Sequence, residues 1–390
     1  MRLLFVSNLY PTQGEPNRGR PNARLMRRFP PEHEVQVLVA RPKLLPPYAD
    51  GVRRQADRFL PEDLDLAPRA AQVPYVPKIG SRVKHLLFAH GMRRAFAAAV
   101  SADRPDAVLV AWLFPDLCGI LRLARPHGLP VIGIAQGSDA HQYLDLPWRR
   151  PVILRGCNQA AGIITRSQDL ADRLARAGVP PAKLRTVYNG VETDVFRPGD
   201  GQVARRTLGL PAAAPVLLYV GNLVPIKNPG LLLEACATLG PDTQLVYVGK
   251  GELAEGLRAR AAALGLADRV RFAGLLPPAQ VGTYMQAANL LVVPSRNEGI
   301  PNVIREAFAC GLPVVATDVG GIAEVLTEDW LGSLVPTADP AALTTAITAR
   351  LARQPESARI RQHAEGFSWE RTVAHCVDFI RERLAQADGR

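Results

Sequence analysis

The feature that most restricts the fold is a repeated alternation of short apolar runs, glycine-bearing polar loops and helix-length segments. In the first half the runs are Leu3-Leu-Phe-Val6, Glu34 to Val39, Ala107 to Val110, Val131 to Ile134, Gly162 to Thr165 and Leu184 to Val187. Each is too short for a helix and reads as a buried strand, so the alternation argues for parallel pairing through right-handed crossovers. After Asn189-Gly190 and the turn-rich Pro198-Gly-Asp-Gly201 the pattern restarts, with Val216 to Tyr219, Gln244 to Val248, Val270 to Phe272, Leu290 to Val293 and Val314 to Ala316. A chain of 390 residues exceeds one comfortable core. The expectation is α/β: two doubly wound domains facing a cleft, residues 1–190 and 191–368, followed by a last helix at 369–390.

One stretch, Ser295 to Pro313, concentrates the chemistry. It lies between the Leu290 and Val314 runs and reads as loop, short helix and stop. Pro301 suits a first helical turn, and Gly311 with Pro313 ends the helix. Glu298 and Glu306 bracket the helix start. Free N–H groups at a helix N-terminus favour phosphate or polarised hydroxyls, while carboxylates accept hydrogen bonds from hydroxyls. The pattern suits a ligand carrying both.

Other strand ends add to it. Gly221-Asn222 leads to Lys227 and Gly230, Gly249-Lys-Gly251 forms a second glycine turn, and Asp318-Val-Gly320-Gly321 a third. Lys227 reads either as a point charge for a diphosphate or as a solvated loop lysine. Open α/β sheets bind ligands beyond the carboxyl ends of their strands, so four such loops on one edge form a candidate site. In the first half, the loop through Gly14 and Gly19 and the loop Gln136-Gly-Ser-Asp139-Ala-His141 occupy the same kind of position. Asp139 suits either a helix cap or a substrate hydroxyl, and His141 either a base or a polar loop residue.

The net charge of +11 calls for an anionic partner. No Lys/Arg run or basic–aromatic interleaving marks a nucleic-acid surface, so none is expected as partner. The segment from Val76 to about Val100 carries Arg82, Lys84, His85, Arg93 and Arg94, which fits a solvated amphipathic face or peripheral contact with an anionic membrane. Five dispersed cysteines without CxxC spacing suit a reduced, cytoplasmic setting. No apolar run reaches membrane-spanning length. No cluster has metal-ligand spacing, and no cofactor is expected.

Taken together, Glu298-Gly-Ile-Pro-Asn-Val-Ile-Arg-Glu306, Val187 to Phe196, the Gly221 to Lys227 loop and Cys310-Gly-Leu-Pro-Val-Val-Ala-Thr resemble the retaining glycosyltransferases of family 4, with its GT-B fold and E-x7-E motif. The resemblance implies a nucleotide-diphosphate sugar, with UDP or GDP, bound by the second domain. It implies a saccharide, lipid-linked or small-molecule hydroxyl acceptor on the first, and a terminal helix crossing back to the first domain. It assigns the leaving diphosphate to Lys227 and the ribose diol to Glu306. Glu298 with the backbone of Gly299, Ile300 and Pro301 would hold the transferred sugar, Gly221, Asn222, Gly249 and Asn302 would belong to the donor-binding loops, and Gly19 would cover the diphosphate. It also implies metal-independent transfer with retention, serving polysaccharide or glycolipid synthesis.

Two positions depart from the family pattern: Asn222 stands where many relatives have arginine, and Gln136 where many have histidine. Gln136 can hydrogen-bond a sugar hydroxyl but cannot act as a base at neutral pH. Gln136 and Asp139 are expected near the reacting groups. The alternative readings are a nucleotide-sugar epimerase or phosphorylase on the same scaffold, and a non-catalytic nucleotide-sugar-binding protein.

Overall fold

The computed structural model describes residues 1–44, 58–76 and 81–388. Residues Met1–Tyr188 and the terminal segment from Trp369 form one compact unit, and Asn189–Ser368 form a second.

The first unit holds a seven-stranded parallel sheet of β1 (Arg2–Ser7), β2 (Glu34–Leu44), β3 (Arg69–Tyr75), β4 (Ala107–Ala111), β5 (Val131–Ala135), β6 (Gly162–Thr165) and β7 (Leu184–Thr186). Its order is β3-β2-β1-β4-β5-β6-β7. Successive β1 side chains alternate between the faces: Leu4 and Val6 pack into one core layer, Leu3 and Phe5 into the other. β4 and β5 are buried at every position, as a parallel strand covered by helices on both faces must be.

Trp369–Asp388, the last helix, belongs to this first unit. Trp369, Val373, Cys376, Phe379 and Ile380 fill the same layer as Leu3 and Phe5. Gly162 on β6 makes the seat: a Cβ there would lie 2.6 Å from the Phe379 ring. Thr372 Oγ1 donates to the Tyr188 carbonyl at 2.9 Å, and buried Arg383 donates to the Ala182 carbonyl at 2.9 Å.

The second unit holds β8 (Val216–Val220), β9 (Gln244–Val248), β10 (Val270–Gly274), β11 (Leu290–Val293), β12 (Val314–Thr317) and β13 (Gly332–Val335), in the order β10-β9-β8-β11-β12-β13. Two core layers again cover its faces, one with Val216 and Leu218, the other with Leu217 and Tyr219. In both sheets the order reverses beside the first strand, between β1 and β4 and between β8 and β11. Such switch points open a crevice at the strands' carboxyl ends.

The strands differ from sequence expectation at the edges. β3 and β13 were not foreseen: β3 is half exposed and contains Pro74, and β13 begins on Gly332. The basic helix runs Lys84–Ala102, while residues 77–80 of the segment expected to be helical lie outside the described residues. The first helix spans Arg20–Arg27, with Gly19 at φ 67° as its N-cap.

Candidate functional site

In the second unit, β9, β8, β11 and β12 are neighbours, so their carboxyl-end loops share one edge. Backbone bonds knit them together. Leu223 N–H donates to the Lys250 carbonyl at 2.9 Å, Arg296 N–H to Ile226 at 2.9 Å, and Gly321 N–H to Gly299 at 2.9 Å. Glycines permit the close approach: a Cβ on Gly249 would lie 1.9 Å from the Gly221 carbonyl oxygen, and one on Gly320 equally close to that of Glu298. Tyr219 Oη donates to the Asn222 carbonyl at 2.8 Å, fixing the turn before Lys227. The Asn222 side chain itself is exposed.

These loops bring Lys227 and Glu298 together at the switch point, with Lys227 Nζ donating to Glu298 Oε1. Glu298 is 9% exposed, and the same Oε1 accepts from Ser295 Oγ at 2.8 Å. Among the described residues no hydrogen bond engages Oε2. Burial and the nearby Glu298 charge hold the Tyr219 phenol above its ordinary range.

The helix Asn302–Ala309 starts just behind this pair, with Pro301 as N-cap rather than inside the first turn. Half-buried Glu306 lies one turn into it. Asn302 Oδ1 accepts from Arg305 at 2.7 Å and from Asn189 at 3.3 Å. Ile300 packs against the core.

The first unit builds its own carboxyl-edge network. At its switch point Asn8 N–H and Nδ2 donate to Asp116 at 2.6 and 2.5 Å. Asp116 is fully buried, and burial pushes its carboxyl up to about 7 against the pull of Asn8 and Lys84. Gln136 Nε2 donates to Asn22 Oδ1 at 2.6 Å, and Asn22 Nδ2 to the Leu9 carbonyl at 2.9 Å. Gly19 is pressed on that same peptide, where a Cβ would lie 2.2 Å from the Leu9 carbonyl.

Asp139 braces the loop ahead of the short helix Ser138–His141, which has Gly137 as N-cap and no side-chain cap: it has no exposed surface, and its carboxylate accepts from the N–H groups of Leu113, Gln136 and Gly137 at 3.0, 2.9 and 2.9 Å. Burial outweighs those donors and raises its carboxyl to about 6. His141 is 8% exposed and its Nε2 lies 3.1 Å from Asp169 Oδ2 on the helix Gln168–Arg176.

Beside Asn8 a cavity of about 360 Å³ opens at the ends of β1 to β4, lined among others by Arg18, Tyr75, Lys84, Phe88 and Pro115. Lys84 Nζ lies 5.1 Å over the Tyr75 ring. Burial lowers its ammonium pKa; Asp116 counteracts this, while Arg149 and Arg18 reinforce it. Sequence reasoning missed Asn8, Asp116, Asn22, Ser295 and Thr317. Asn8 and Asp116 follow the first and third apolar runs, so the signal was their place at strand ends that the reversed order makes adjacent.

Among the described residues no His/Cys/Asp/Glu group is placed to hold a metal ion, and no helix is long and apolar enough to cross a membrane.

Comparison with known proteins agrees with this geometry. Residues 22–195 match the family described as Glycosyltransferase Family 4, and residues 201–367 match Glycosyl transferases group 1. A D-inositol 3-phosphate glycosyltransferase of Geodermatophilus obscurus is 38% identical over 69% of this chain and 62% of its own length. One from Saccharomonospora viridis is 35% identical over 72% of this chain and 69% of its own. The alignment with the Acidothermus cellulolyticus relative spans 50% of that protein's length, so the chain covers about half to two thirds of its curated relatives.

Among solved structures, sucrose-phosphate synthase from Thermosynechococcus elongatus superposes with a TM-score of 0.77 at 22% identity, over 99% of this chain and 100% of that one. Anabaena Alr3699/HepE in complex with UDP gives 0.76 at 20%, over 98% and 100%. Fold and strand-end loops thus define a GT-B protein, built of two Rossmann-like units. The chain belongs to glycosyltransferase family 4.

Proposed function

We propose that the chain is a metal-independent retaining glycosyltransferase, moving a sugar from a nucleotide-diphosphate donor to a hydroxyl acceptor. The observation that carries this reading is the Lys227–Glu298 pair at the second sheet's switch point, beside the helix start at Asn302. Lys227 and the loop amides would meet the diphosphate charge, Glu306 the ribose diol and Glu298 the sugar hydroxyls. The roles of Gly221, Asn222, Gly249, Gly299, Pro301 and Asn302 reduce to backbone: tight turns and N–H groups. Asp139 braces the Gln136 loop.

In the proposed step the bond from the anomeric carbon to the diphosphate oxygen breaks, and the electron pair leaves with the diphosphate. The acceptor oxygen bonds to that carbon on the same face, and its proton passes to the departing phosphate. Stabilising charge on the leaving group is then the main catalytic effect. No base is required, which suits Gln136 in its place.

The first unit is proposed to hold the acceptor. Lys84 and Arg18 at the cavity suit an acceptor that carries phosphate as well as hydroxyls, in line with the inositol 3-phosphate named for the relatives. Peripheral membrane contact would fall to the basic face of the helix Lys84–Ala102, where His90, Arg93 and Arg94 are exposed. A cytoplasmic place in polysaccharide or glycolipid synthesis is part of the same proposal.

Screening UDP-, GDP- and ADP-sugars by thermal shift tests the reading, since a ligand at about 100 times its Kd adds ~2.7 kcal/mol of stability. One donor class should raise the melting temperature, and Glu306→Ala should diminish the rise. With inositol phosphate as acceptor, product should form in EDTA and keep the donor's anomeric configuration. No shift with any donor would overturn the assignment.

A further inference from the structure

The Glu298 carboxylate is held unevenly. Oε1 accepts two donors, Lys227 Nζ and Ser295 Oγ, while no hydrogen bond among the described residues reaches Oε2. Ser295 is 2% exposed and cannot itself meet a ligand without movement. Its carbonyl accepts from Thr317 Oγ1, which also lies 3.3 Å from the Val293 carbonyl and has no exposed surface. Thr317 closes β12 and Ser295 follows β11, so a side chain of one strand end fixes the backbone of the next.

We propose that Ser295 and Thr317 are positioning residues for the donor sugar. Thr317 holds the Ser295 backbone, Ser295 holds Oε1, and the carboxylate is left with Oε2 directed to the sugar hydroxyls. The inference rests on the proposed glycosyl transfer, but it concerns only how one carboxylate is aimed. Both side chains are buried beneath Glu298 rather than exposed to a ligand, so removing either should spoil sugar placement and spare nucleotide binding. A bond to a charged acceptor that contributes fully in the transition state corresponds to a loss of about 10-fold or more.

The test is steady-state transfer together with inhibition by the free nucleoside diphosphate. Ser295→Ala and Thr317→Val should each lower kcat by about 10-fold or more, with the inhibition constant of the diphosphate unchanged. Thr317→Ser, which keeps the hydroxyl, should restore most of kcat. The double variant should be little worse than the poorer single one, because both act through one carboxylate. An unchanged inhibition constant also shows that the variants fold. Full kcat in both single variants, or failure of Thr317→Ser to recover it, overturns the positioning role while leaving glycosyl transfer standing. If the wild-type chain neither binds a nucleoside diphosphate nor transfers sugar, the functional reading fails and the inference with it.

Discussion

At the scale of single residues, the first unit places two carboxylic acids, Asp116 and Asp139, out of reach of solvent. Burial raises them to about 7 and about 6. An unfolded aspartate titrates near 3.9. Between about pH 4 and about pH 7 the folded chain therefore keeps protons that the unfolded chain has released, so stability falls as pH rises through that window and levels off above it. Asp116→Asn should remove part of that decline. Unfolding free energies from urea titrations at pH 5 and pH 8 should differ less in the variant than in wild type, and equal differences would show that Asp116 does not titrate there. Neither acid was legible as a buried loop brace. Asp139 stood in a loop where capping and ligand binding look alike, and the Asp116 partner, Asn8, lies 108 positions away.

At the scale of elements, the strands buried on both faces were the most sharply bounded in the sequence, although the more exposed β7 and β10 were also read as strands. Strands covered on both faces, such as β4, β5, β11 and β12, are continuous apolar runs and were found within a residue or so. Edge strands β3 and β13 carry exposed or small residues and were not. Gly162 shows a constraint that only packing reveals. It lies on β6 beneath the terminal helix, and its missing side chain is what admits Phe379. Gly162→Ala would place a methyl group 2.6 Å from that ring. Such overpacking should cost about 1–3 kcal/mol, read as a lower midpoint in urea. An unaltered midpoint would mean that the helix shifts at no cost.

At the scale of the whole molecule, the chain repeats one plan. Each sheet reverses order beside its first strand, and each switch point holds a polar pair: Asn8 with Asp116, Lys227 with Glu298. Both members of the second pair stood out in the sequence, Glu298 in a motif with glutamates at fixed spacing and Lys227 in a separate glycine-bearing loop 71 positions earlier. The mutual contact of Lys227 with Glu298 was not legible, since separate roles had been expected of them. On the proposed function, this second-unit pair marks a nucleoside-diphosphate site. Isothermal titration of UDP and GDP into wild type and Lys227→Ala tests it most directly. One nucleotide should bind wild type saturably at one site and bind the variant at least about 10-fold more weakly, as expected for loss of a charged hydrogen bond. Equal affinity in the two proteins would contradict it.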